Sequence, residues 1–296
     1  MKKVVLLLFL SGLMILFCGS SLAENEHESI PNRADIALIE EKYSESLQKL
    51  FVYRDRIKSL HPLLERLHPV AIVENKTFYV FDIDEAAGRY VFASSASATM
   101  PIPPRVRAAF PLDFYHNRAA CVVTGDVFDS IEGYVIIFHE FVHCYQWNTV
   151  EPVLRKDLPI AVKAAEEQNY MWELNHPFPY VDPSFEENYK AFIEALDNND
   201  LTSAAQHRNA LKESVSPLDF QYMVWQEWKE GFALFLENRI REQLQLERNM
   251  TGRRKPYNRT VFYAGGESLI SSLSEQESEI LSDLELLFKL IKNFPK

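Results

Sequence analysis

The chain has 296 residues, 42 of them acidic and 31 basic, and its net charge of −11 does not favour nucleic acid or anionic lipid. Hydrophobic residues make up 47 % of it, enough for one large domain or two lobes around a cleft. No repeat, low-complexity tract or phosphate-binding loop is found, so nucleotide chemistry has no footing.

At the N-terminus, Lys2 and Lys3 precede an apolar run from Val4 to Phe17, and Ser21-Leu22-Ala23 forms a small-x-small cleavage site before Glu24. Residues 1–23 therefore read as a secretory signal, which implies export to the periplasm or the outside. The apolar run is short for a membrane span and polar sequence follows it, so the mature chain, 24–296, is expected to have no membrane span. Cys18 raises the alternative of a lipid anchor, against which Phe17 stands where a small residue is expected. The other two cysteines, Cys121 and Cys144, would meet an oxidising compartment. They form either one disulfide or two buried thiols.

Residues Ala34 to Leu67 carry apolar positions at helical spacing (Leu38, Leu47, Leu50, Ile57 and Leu64) with a break at Pro62. A packed structural helix is expected here, and a pro-segment is the alternative. Ala71–Val73, Phe78–Phe81 and Arg89–Phe92 read as strands, separated by the turn-forming Glu74-Asn75-Lys76 and Ala87-Gly88. Met100–Pro104 is Pro-rich and non-helical. Ala120–Val123 reads as a further strand, ended by Thr124-Gly125-Asp126.

Next comes His139-Glu140-Phe141-Val142-His143, flanked by apolar residues on both sides. On a helix, residues four apart lie about 40° apart around the axis, so both imidazoles share one face and can bind one metal ion. Glu140 is rotated by about 100° from His139 and can flank the metal as a general base rather than a ligand. Cys144 projects about 100° from His143 and should not share the metal. An amphipathic helix with two surface histidines fits poorly, because unpartnered buried His and Glu would be costly.

Zinc hydrolases usually use three protein ligands and leave one position to water. A third histidine six residues past His143 is excluded, since that position is Thr149. Downstream, a break at Asn175–Tyr180 is followed by helices from about Ser184 to Leu196 and Leu201 to Lys212. A long helix then runs from about Leu218 to Leu246, opened by Pro217 with Ser214 and Ser216 as possible caps. Within it Glu230 is followed at once by Gly231. A mid-helix glycine costs about 1 kcal/mol relative to alanine, so its presence points to close approach of another backbone or an ion. Glu230 is the expected third ligand, with Glu227, Glu237 and His176 as alternatives. Glu237, two turns along the same face, could orient a ligand histidine. Ser274 to Lys292 reads as one amphipathic tail helix packed on the domain.

His139-Glu140-x-x-His143 with Glu230-Gly231-Phe232-Ala233 and Glu237 resembles the gluzincin metallopeptidases, locally the aminopeptidase N type, in which the Glu before Gly-Phe-Ala is the third zinc ligand. Phe262-Tyr263-Ala264-Gly265-Gly266-Glu267 is similar to that family's Tyr-x-Lys-Gly stretch, whose tyrosine stabilises the transition state. The likeness covers three short patches. The spacer from His143 to Glu230 is longer here, Gly265 replaces the lysine, and no Gly-x-Met-x-Asn stretch precedes His139. The zinc site carries over; aminopeptidase specificity does not. As a whole, the chain looks most like an uncharacterised group of secreted bacterial gluzincin-like proteins.

The resemblance implies an α+β, zincin-like fold in a single catalytic domain, 24–296. A sheet-containing lobe with the active helix (about 68–148) would precede a mainly helical lobe (about 149–296). It implies one Zn2+ per chain held by His139, His143 and Glu230, with Glu140 as general base. Tyr263 is the candidate oxyanion donor, with Tyr257, Tyr145, His116 and His176 as rivals. The strand Ala120–Val123 would be a zincin-type edge strand to which peptide adds by backbone hydrogen bonds. A secreted zinc peptidase acting on peptide or protein is thus the leading expectation. A non-catalytic scaffold and a hydrolase of non-peptide amides or esters are the alternatives.

Overall fold

The computed structural model describes residues 33–99 and 101–295; residues 1–23, expected to be a signal, and with them Cys18, lie outside the described residues, as does Met100. The fold is α+β, with one five-stranded sheet and mostly helical structure in the rest of the described residues. It divides into two compact units. One comprises the residues up to Arg56 with Leu64–Cys144; the other comprises Ile57–Leu63 with Tyr145–Lys296.

In the first unit, helix α1 (Arg33–Ile57) precedes strands β1 (Val70–Glu74), β2 (Thr77–Asp84), β3 (Arg89–Ser97), β4 (Arg107–Leu112) and β5 (Arg118–Thr124). The helix stops before Pro62, and His61 Nδ1 accepts from the Leu63 amide where the chain turns. β1 and β2 form a hairpin across Asn75-Lys76, both left-handed (φ 49° and 59°), the pairing whose twist matches that of antiparallel strands. The sheet order is β3-β2-β1-β5-β4, with β1 and β5 parallel and the other pairs antiparallel.

This order corrects one expectation. The strand containing Ala120–Val123 is not an edge: β5 is paired on one side to β1 and on the other to β4. Its backbone groups already serve two ladders, so a peptide cannot add to it. The strand that covers it, β4, was not read from the sequence because it is short and holds Arg107 and Pro111. A proline can sit there because β4 is an edge strand and needs no second ladder.

Helix α2 (Ile131–Thr149) follows β5 after a 3-10 turn, its start capped by Ser130 Oγ, which accepts from the Gly133 amide at 3.2 Å. From Gly133 to Cys144 every residue is buried, so this stretch of the helix is covered on all sides, polar residues included. Tyr134 packs on Tyr53 of α1 (centroids 4.8 Å apart) and donates to the Ser46 carbonyl at 3.2 Å.

The second unit contains α3 (Glu151–Lys156), α4 (Pro159–Glu166), α5 (Trp172–Asn175), α6 (Pro183–Asp197), α7 (Leu201–Ser214), α8 (Pro217–Gln243), α9 (Val261–Gln276) and α10 (Leu284–Asn293). Asp182, Asp200 and Ser216 cap α6, α7 and α8 by accepting from backbone amides three residues on. α8 is the central element, with Trp225 and Trp228 fully buried. It ends three residues before the expected Leu246. Gln245 turns left-handed (φ 61°) and the Leu246 amide bonds back to the Arg241 carbonyl, closing the last turn.

The reason for Gly231 lies in α9. A Cβ on Gly231 would stand 2.5 Å from Gly266 Cα, and one on Gly266 would stand 2.7 Å from Glu227 Cα. Two helix backbones therefore touch where both lack side chains. The expected single tail helix is instead two: α9 runs to Gln276, and α10 begins afresh where Asp283 accepts from the Glu285 and Leu286 amides. Among the described residues no helix is long and apolar enough to cross a membrane.

Candidate metal centre

α2 presents His139, Glu140 and His143 within its buried stretch; their exposures are 2 %, 1 % and 2 %. The two imidazoles meet edge to face with Nε2 atoms 3.2 Å apart. Two nitrogens bound tetrahedrally to one zinc at 2.0–2.1 Å would lie about 3.3 Å apart. The helix thus holds the pair close to the spacing that a shared metal requires.

Glu230, on α8, is equally buried, and the ligand atoms of His139, His143 and Glu230 all lie within 4.8 Å of one another. This buried group could hold a metal ion. Two imidazole nitrogens and one carboxylate oxygen are donors of the kind that bind divalent metal ions. Glu230 also accepts from Arg259 Nη1 at 3.2 Å.

The alternative ligands are engaged elsewhere. Glu227 is buried in a bidentate pair with Arg208 (Nη1 to Oε1 and Nη2 to Oε2, both 2.7 Å), and Tyr189 donates to Oε1 at 2.7 Å. Burial, together with the Glu227 charge, pushes the Tyr189 phenol well above its ordinary value. His176 Nε2 meets Asp219 Oδ1 at 2.6 Å, and its ring lies 4.5 Å from that of Tyr222. Glu237 Oε1 accepts from Arg241 Nε at 2.7 Å and from Asn249 Nδ2 at 3.0 Å.

Tyr263 is buried on α9, and the Arg259 guanidinium lies 5.3 Å from its ring centre. Arg259 therefore neighbours both Tyr263 and Glu230. Of the rivals, Tyr257 faces Lys255, at 5.7 Å from its ring, and His116 is an exposed left-handed residue ending a 3-10 turn. Cys121 and Cys144 are buried thiols without a bridge. Burial first, and then the Glu140 charge, raises both well above the ordinary thiol range, so neither is a thiolate at neutral pH.

Sequence reading missed Arg259 and a second, largely buried set of charged residues. Lys229 Nζ donates to Glu151 Oε1 at 3.2 Å and to Glu173 Oε2 at 2.8 Å. Arg155 donates to Glu151 Oε1 through Nε (2.9 Å) and Nη2 (2.6 Å), and also pairs with Glu173. The rings of Trp147, Trp172 and Trp225 surround its guanidinium at 5.5, 5.7 and 5.5 Å. Burial works against the Glu151 carboxylate, but Lys229 and Arg155 hold it below the usual range. Only the i, i+4 spacing of Glu151 and Arg155 was visible in the sequence.

No protein-family model, curated protein or solved structure matches this chain.

Proposed function

We propose that this chain is a secreted zinc-dependent peptidase of the gluzincin kind, with a zincin-like fold, its metal held by His139, His143 and Glu230. The observation that carries the reading is the buried gathering of these three side chains, with Glu140 set in the same helix turn as the histidine pair. Gathering two imidazoles and two carboxylates in one buried place is costly, and coordination of an ion by them would offset that cost. A bound zinc ion supplies Lewis acidity, which polarises a carbonyl and makes water a nucleophile near neutral pH.

The remaining chemistry belongs to the side chains. Glu140, as carboxylate, takes a proton from the attacking water and returns it to the departing amine nitrogen. Tyr263 donates its phenol hydrogen to the carbonyl oxygen as that oxygen gains charge. Arg259, fixed beside Glu230 and Tyr263, keeps positive charge next to both. The test is cleavage of a mixed-peptide library by the purified protein with and without chelator. Chelator-sensitive cleavage, restored by Zn2+, is expected. Zinc-loaded protein that cleaves no peptide would overturn the peptidase reading while leaving the metal site standing.

A further inference from the structure

Metal–ligand distances tolerate shifts of only about 0.2 Å, whereas one residue of slip along a helix moves a side chain by about 1.5 Å. The position of Glu230 must therefore be held finely, and directional polar contacts add to packing in holding it. Directional contacts do exist, and they converge on one residue. Gln146, fully buried and three residues past His143, donates from Nε2 to the main-chain carbonyl of Lys229 at 3.1 Å. Lys229 immediately precedes Glu230. Its ammonium, at the other end of the residue, meets Glu151, which opens α3 just after α2 ends. Residue 229 is thus held at its carbonyl and at its side chain by two residues that follow the histidines closely in sequence.

The surrounding contacts make this grip selective. Glu151, Arg155, Glu173 and Lys229 form a quartet of two acids and two bases, all buried except the half-buried Arg155. The Glu173 carbonyl in turn accepts from Tyr222 Oη (2.9 Å) and Gln226 Nε2 (3.0 Å), both on α8. A slip of α8 by one residue would separate these partners and leave charges unpaired in a buried setting, which is strongly disfavoured.

We propose that Gln146, backed by the Glu151–Arg155–Glu173–Lys229 quartet, is a positioning residue that sets Glu230 against the His139–His143 pair, so that metal affinity depends on a side chain outside the ligand set. This rests on the metal site put forward above. The test is direct titration of the full chain with Zn2+ against a competing chromophoric chelator, comparing wild type, Gln146→Met and Leu211→Ala. Leu211 is buried in α7, so its truncation lowers stability without touching the grip on residue 229. Gln146→Met should bind Zn2+ about 10–100-fold more weakly than wild type. Its Co2+-loaded form should show altered visible bands. Leu211→Ala should melt earlier yet bind Zn2+ as wild type does. Should Gln146→Met not fold, Gln146→Asn keeps the amide but shortens the reach, and the same loss is expected. Unchanged Zn2+ affinity in the Gln146 variant, or an equal loss in Leu211→Ala, overturns the positioning role alone. Wild-type protein that takes up no Zn2+ overturns the metal site and the positioning role together.

Discussion

Helices α2 and α8 are both buried along most of their length, yet they carry polar side chains in opposite ways. α2 has no lysine or arginine and gathers its fully buried polar groups into His139, Glu140, His143 and Gln146. α8 spreads Gln226, Glu227, Lys229, Glu230, Glu237 and Asn238 along its length, and its buried charges meet counter-charges: Arg208, the Glu151–Glu173 pair, Arg259 and Arg241. The difference is instructive. A buried carboxylate on α8 is by itself no sign of chemistry, because ion pairing accounts for most of them. On α2 the spacing of the polar residues carries the information, and Glu230 stands out on α8 because its oxygen belongs to the same close group as the histidine nitrogens.

This contrast can be broken experimentally, and the largest effect is expected on α2. Glu140→Gln should lower peptide turnover by about 10²–10⁴-fold while zinc content stays near one per chain. Loss of the metal in that variant would make Glu140 a ligand or a structural residue. On α8 the matching change concerns stability. Arg208→Met leaves the Glu227 carboxylate buried without its bidentate partner and should cost about 3–5 kcal/mol in a denaturant titration. Zinc stoichiometry should be unchanged in the folded fraction; zinc loss there would tie Glu227 to the metal instead.

Tyr263→Phe comes next, with turnover expected to fall about 10²–10³-fold and zinc content and melting temperature little changed. Normal turnover would make Tyr263 a buried structural tyrosine. The smallest expected effect lies in the first unit and away from the ligands. Burial, reinforced by Arg66 and Arg118, lowers the His68 imidazole from an ordinary 6.5 to about 4. The unfolded chain takes up this proton near pH 6.5, whereas the folded chain refuses it until about pH 4. Stability therefore falls as pH drops through that window, by about 3 kcal/mol from this group. His68→Leu should flatten that part of the curve of unfolding free energy against pH; an unchanged slope would show that His68 is not the group responsible.

How much of this was legible in the sequence follows from the range of each signal. Local signals read well. The His139–His143 spacing, the Asn75-Lys76 turn, the Ser216-Pro217 helix start and the mid-helix Gly231 each act within a few residues, and each has a visible structural counterpart. Long-range pairing did not read. β5 looked like an edge strand because nothing in Arg107–Leu112 announces the strand that covers it. The quartet around Lys229 joins residues up to 78 positions apart, so no window of sequence contains it. The tail broke into α9 and α10 because Asp283 supplies a new cap, a signal overlooked within an apolar pattern that continues on both sides.

The most direct test of the central claim is the metal content of the purified protein, measured by inductively coupled plasma mass spectrometry for wild type, Glu230→Ala and Glu227→Gln. One zinc per chain is expected in wild type and in Glu227→Gln, with sharp loss in Glu230→Ala. Wild-type protein without zinc, or full occupancy in Glu230→Ala, would contradict the assignment of His139, His143 and Glu230 as one metal site.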